Sequence, residues 1–202
     1  MSKRNGTKQK TLLLVQNALL ISIILLMAFT PLGYLKIGVV EMTLIMIPVA
    51  VGSIALGEKT GLILGLVFGL TSFYQCLTGS SPFGATLLNI NPIFTFVMCI
   101  IPRVLMGYLS GLIFKALEKA PKAIGYLAAS LSAPIINTVL FMGSLVLFFG
   151  KSEFIMGLRG GLKLIPFVIA FVGINGLLEI ILTGIVAPPL AIAMKKAIKK
   201  FN

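Results

Sequence analysis

Apolar residues run along the chain in long blocks separated by short polar stretches, and no segment shows sustained two-residue alternation. Six blocks, at about residues 11–29, 42–56, 61–77, 92–116, 123–149 and 164–194, read as helices crossing a hydrocarbon core, which takes roughly 20 apolar residues. The second block is short and irregular. The lack of alternation argues against a membrane β-barrel. The expected fold is an all-α integral membrane protein, a single transmembrane domain over residues 1–202 with six transmembrane helices. The first block has no small-residue cleavage site and runs on into further membrane segments, so it is expected to be a span and not a signal peptide.

The polar stretches set an orientation. If both termini share one side, that side holds twelve of the seventeen cations, from Lys3, Arg4, Lys8 and Lys10 through Lys59 and Lys115, Lys119 and Lys122 to Lys195, Lys196, Lys199 and Lys200. The other side holds Lys36, Lys151, Arg159 and Lys163. Cytoplasmic loops carry the Lys/Arg excess, so both termini are expected in the cytoplasm. On that side the turns 57–61 and 117–121 are tight. On the outer side, 30–41, 78–91 and 150–163 are longer, as loops that carry binding sites often are.

Composition narrows the chemistry. Hydrophobic residues make up 58% and charged residues 11%, far from a soluble domain's balance of about a half and a quarter. The net charge of +12 follows the inside bias of the loops and does not call for nucleic acid as a partner. There is no His and no Trp, and all five acids are Glu. Catalysis by a His base or an Asp dyad is therefore excluded, and no metal or other cofactor is expected. Cys76 and Cys99 fall in apolar segments and read as small core residues.

The stretch Gly52 to Thr60 nearly spells a phosphate-binding loop, but Glu58 stands where the lysine is needed and no strand precedes it. It reads as a turn between two helices, and the chain has no nucleotide engine of its own. Gly57, Gly61, Gly65 and Gly69, and again Gly107 and Gly111, repeat every fourth residue. Such flat stripes allow close helix approach, chiefly within the protein. Ala18 and Ser22 form a shorter small-residue pair on the first span, able to pack internally or to dock a partner helix.

Ions inside a span are costly and mark function. Arg103 lies well inside the fourth span and Glu179 inside the sixth. They form either a structural pair or the charged lining of a cavity that holds a polar solute, where Arg can clamp a carboxylate. Asn175 and Glu179 share a helix face at i, i+4. Asn91, Gln75, Thr95 and Asn137 add polar groups to the same candidate pocket, with Tyr74 and Lys36 from the outer side. Prolines 92, 102, 134, 166, 188 and 189 are expected to break the spans near these groups, where freed backbone lines a cavity. An intramembrane enzyme lacks its nucleophile and base here. A self-sufficient secondary transporter using Glu179 is not excluded, although no inverted repeat is visible.

Several stretches then become familiar. Ile47-Pro48 through Gly52 to Gly57, Gly61 through Gly65 and Gly69 to Ser72, Asn91-Pro92, Pro102-Arg103 to Gly107, Asn175-Gly176 to Thr183, and Pro188-Pro189-Leu190 together resemble the substrate-binding (S) components of energy-coupling factor vitamin transporters. Their order extends over about residues 11–200. The resemblance implies a six-helix vitamin-binding protein in the plasma membrane of a bacterium. It also implies a transmembrane coupling subunit and two cytoplasmic ATPase subunits as partners. Small residues on the first helix meet the coupling subunit in that family, matched here by Ala18 and Ser22, the second departing from the usual Ala. The outer loops close over the ligand in the family. The Pro48 to Gly57 stretch and the Pro102-Arg103 pair look most like pantothenate-type members, which implies a carboxylate clamp at Arg103 and a pocket role for Asn137. Tyr34, Tyr74, Phe83 and Phe94 keep riboflavin or a pyridoxine-like ring open as the ligand.

Overall fold

The computed structural model describes residues 2–31, 33–36 and 41–201. In chain order it has α1 (Ser2–Ala28), β1 (Tyr34–Lys36), β2 (Glu41–Thr43), α2 (Met46–Leu56), α3 (Glu58–Thr78), α4 (Pro82–Ile90), α5 (Pro92–Ala116), α6 (Lys122–Phe149), α7 (Glu153–Arg159) and α8 (Leu164–Phe201). The helical expectation holds. Among the described residues, five helices are long and apolar enough to cross a membrane: α3, α5, α6 and the apolar parts of α1 and α8. Much of their surface is apolar and uncovered, as at Leu14, Ile93, Leu147 and Ile165, and in a bilayer faces lipid.

The expected second span is helical over only part of its length. Only Met46–Leu56 is helical there, 11 residues. At 1.5 Å per residue this is about 16 Å, roughly half a hydrocarbon core. The residues before it form β2, which pairs antiparallel with β1 in the register Tyr34 with Thr43, Leu35 with Met42 and Lys36 with Glu41. The three segments expected as long loops also contain regular elements. Segment 30–41 contributes β1, 78–91 contains α4 and 150–163 contains α7.

Local sequence explains the boundaries. Asn91 caps α5, its Oδ1 accepting from the Phe94 amide at 3.0 Å, with Pro92 in the first turn. Ser152 does the same for α7 through the Ile155 amide. The resemblance to a phosphate-binding loop resolves into the end of α2, a turn at Gly57 and the start of α3. The prolines behave differently from expectation. Pro102, Pro134, Pro188 and Pro189 lie within helices that run on through them, Pro92 starts one, and Pro166 lies in the first turn of α8. The break in the last helix falls instead at Gly173, whose φ of 37° and ψ of −128° suit a residue without Cβ.

The glycine stripes are an internal seam. A Cβ at Gly61 would collide with the carbonyl oxygen of Gly107, and one at Gly65 with that of Arg103. α3 and α5 therefore pack backbone against backbone. Ser53 Oγ donates to Gly107 O at 2.6 Å and Ser110 Oγ to Ser53 Oγ at 3.2 Å, tying α2 into the seam. Cys76 and Cys99 are buried free thiols facing each other across the same helices, 3.8 Å apart. One apolar cluster gathers α1, α2, α3, the C-terminal halves of α5 and α8 and the N-terminal half of α6 around Ile24, Val49, Phe68 and Met106. A second gathers Leu87, Met98, Met142, Phe149, Ile155 and Phe167. Arg103 lies between Met98 of the second cluster and Met106 of the first.

Candidate functional site

Four of the polar residues singled out in the sequence meet in one cleft. α5 supplies Arg103, α6 supplies Asn137, and α8 supplies Asn175 and Glu179. Thr43, at the end of β2, closes the ring, and Thr138, Phe141, Met142, Phe171, Val172 and Gly176 complete the lining. The cleft holds about 480 Å³ of empty space, counting its open mouth. Small-molecule pockets are typically about 300–1,000 Å³. Their usual lining of apolar walls with a few convergent polar groups is also the pattern here.

Arg103 is held by backbone and ring contacts and, among the described residues, makes no ion pair. It is 8% exposed, and its Nη1 donates to Met98 O at 2.8 Å. Its guanidinium lies 5.0 Å from the ring centre of Phe141 and 5.6 Å from that of Phe68. Cation–π contact orients the group but supplies no counter-charge. Its Nε is buried without a hydrogen-bond partner, and so is Oδ1 of Asn137 in the same cleft. Buried polar atoms are nearly always paired in a complete structure, so two orphans in one cleft point to a ligand that completes them. Arg103 is seated from behind, where Gly65 lets α3 approach its carbonyl.

Glu179 has a different task from the simple ion pair considered in the sequence. Among the described residues no ion pair links it to Arg103. Its Oε1 accepts from the backbone amide of Thr43 at 2.8 Å, while Thr43 Oγ1 accepts from the amide of Ile45 at 3.3 Å. The last helix thus holds the end of the β pair against the cleft. The break at Gly173 lies in the same wall, between Val172 and Asn175.

Of the remaining residues named from the sequence, those with described side chains are not among those lining the cleft. Asn91 is the α5 cap, and Thr95, fully buried, donates its hydroxyl to Asn91 O. Gln75 donates to Ala28 O at 2.9 Å and, with Tyr74, Tyr34 and Phe29, borders a separate hollow. Tyr74 packs edge-on against Phe29. Lys36 ends β1, and its side chain lies outside the described residues. Phe83 packs on Phe154 and Phe171, and Phe94 stacks on Phe148. Ala18 and Ser22 are both exposed on α1, the Ser22 hydroxyl bonded back to Ala18 O at 2.9 Å. The sequence reading missed Phe141 and Phe171. Helical spacing could have found Phe141, four residues from Asn137, whereas Phe171 and Asn175 are separated by the break at Gly173.

Two kinds of comparison bear on this arrangement. The family model described as "ECF transporter, substrate-specific component" matches residues 13–191. The chain is 31% identical over 171 residues to the pantothenic acid transporter PanT of Lactococcus lactis subsp. cremoris, covering 78% of this chain and 80% of that one. It is 30% identical over 191 residues to the pantothenate transporter PanT of Leuconostoc mesenteroides subsp. mesenteroides, covering 89% and 90%. With most of its length matched, and with apolar helices around one polar cleft, this multi-pass membrane protein belongs to the substrate-specific components of ECF transporters.

Proposed function

We propose that this chain captures pantothenate in the cleft from the outer face of a bacterial plasma membrane, for import driven by other subunits. The observation that carries the reading is Arg103. It is buried in the cleft, has an unpartnered Nε, and among the described residues has no carboxylate within ion-pair distance. An anionic ligand would supply the missing charge, and a guanidinium binds a carboxylate through parallel hydrogen bonds. The two relatives' names favour the vitamin carboxylate over riboflavin or a pyridoxine-like ring. Asn137 Oδ1 is then an acceptor for a ligand hydroxyl or amide, with Phe141 and Phe171 packing its apolar part.

The wider assignment follows. α2 with the β pair serves as the second of six passages, both termini are cytoplasmic, and the cleft opens outward. A transmembrane coupling subunit meets α1 at Ala18 and Ser22, and two cytoplasmic ATPase subunits hydrolyse the ATP. Proteoliposomes carrying the purified chain and labelled pantothenate test this. The chain alone shows saturable binding and no accumulation, and accumulation appears with ATP only when the partners are added. Uphill accumulation by the chain alone would establish a self-sufficient carrier and overturn the proposal.

A further inference from the structure

A second, larger hollow opens at the opposite end of the helices from the Thr43 side, between the end of α5, the start of α6 and the end of α8. It holds about 1310 Å³ of empty space, counting its open mouth. Its walls are apolar, with Phe114, Leu117, Tyr126 and Ile192 among them. Its rim carries Lys122, Lys195, Lys196 and Lys199 against one carboxylate, Glu118. We propose that this groove binds the headgroup of an anionic phospholipid, with the upper part of its acyl chains lying on the apolar wall.

Lysines at helix ends are ordinarily a solvated consequence of the inside bias. Three features set these apart. First, they converge from two helices on one concavity and do not simply spread over the end of the molecule. Second, Lys195 is half-buried, with its Nζ held 4.1 Å from the ring centre of Phe114, so one cation is fixed over the apolar floor. Third, the groove's own walls are apolar, with Phe114, Leu117, Tyr126 and Ile192 among them. A free phosphate has no use for such walls. A glycerophospholipid does, since its phosphate meets the lysines while its chains follow the helix faces. Basic pockets between transmembrane helices bind acidic lipid headgroups on this physical basis. The proposal goes beyond vitamin capture and rests on a different cavity.

Native mass spectrometry of the detergent-solubilised chain tests it, with added phosphatidylglycerol, phosphatidylcholine or inorganic phosphate. The expected result is retained phosphatidylglycerol at stoichiometric levels, with phosphatidylcholine and phosphate retained far less. Lys195→Gln with Lys199→Gln lowers phosphatidylglycerol affinity by roughly 25-fold, at about tenfold per 1.4 kcal/mol and near 1 kcal/mol for each lysine. Lys10→Gln with Lys59→Gln removes the same charge from exposed positions outside the groove and leaves binding unchanged. Gly125→Leu keeps every charge but fills the groove, where a Cβ already meets Leu117 and Phe114 at 3.5–3.8 Å, and it too weakens binding. Leucine favours a helix over glycine, so this variant keeps the test valid if the lysine variant folds poorly. Equal loss in the Lys10/Lys59 variant, or undiminished binding in Gly125→Leu, would reduce the effect to diffuse surface charge and overturn the proposal. So would equal retention of phosphatidylcholine, or inorganic phosphate binding as tightly as the lipid.

Discussion

Replacing Glu179 by leucine should loosen the mouth of the cleft without dismantling the fold. In the structure its Oε1 accepts from the Thr43 amide at 2.8 Å, and both residues are buried, at 7% and 6% exposure. Leucine has similar bulk but no acceptor, so the Thr43 N–H is left buried and unpaired. That penalty is about 1–3 kcal/mol. A factor of ten corresponds to about 1.4 kcal/mol, so release of the β pair from α8 should become roughly 5- to 150-fold more favourable. Hydrogen exchange at the Thr43 amide reads this directly, and the loss of protection should extend along β1 and β2 while α3 and α5 stay protected. Glu179→Gln retains an acceptor and should recover most of the protection. Ligand release should quicken in parallel with exchange, because Thr43 lines the cleft. Unchanged protection of Thr43 in Glu179→Leu would refute the latch. So would protection lost equally throughout the molecule, because Glu179 would then serve the whole fold.

Two further perturbations separate surface from seam. Ala18→Leu together with Ser22→Leu enlarges an exposed face of α1, so co-purification with the coupling subunit should fall while ligand binding by the isolated chain persists; equal loss of both would place these residues in the fold. Gly61→Val drives a branched side chain into the Gly107 carbonyl across the α3–α5 seam. Overpacking of this kind typically costs about 1–3 kcal/mol, so thermal unfolding in detergent should fall by several degrees, and an unchanged midpoint would contradict the close approach.

The parts of the molecule that the chain pattern made legible are those where lipid enforces the rule. A bilayer requires long apolar helices, so α3, α5, α6 and the apolar parts of α1 and α8 stand out as uninterrupted blocks. It also makes buried ions expensive, which is why Arg103 and Glu179 stood out, and the asparagines of the same helices followed. What was not legible had shorter-range causes. β1 and β2 are three residues each, too short for alternation to show, and β2 merges with the apolar run of α2. Asn91 has the side chain of a pocket residue, yet its place before Pro92 made it a cap. Prolines inside α5, α6 and α8 suggested breaks, but the helices continue and the kink falls at Gly173, where a positive φ is affordable. The carboxyl of Glu179 could be read as a partner for Arg103 because sequence gives spacing along a helix and not the backbone amide that arrives from β2.

The central claim is that Arg103 meets the carboxylate of the ligand. Calorimetric titration of the native chain and Arg103→Ala, each with pantothenate and with its alcohol analogue, tests it most directly. The native chain should bind pantothenate far more tightly than the alcohol. In Arg103→Ala, pantothenate should lose about 2–5 kcal/mol of binding energy, and the alcohol should change little. An equal loss for both ligands would contradict the clamp. So would an unfolded Arg103→Ala whose folding and full affinity return when Glu179→Ala is added, because Arg103 would then be the structural partner of Glu179.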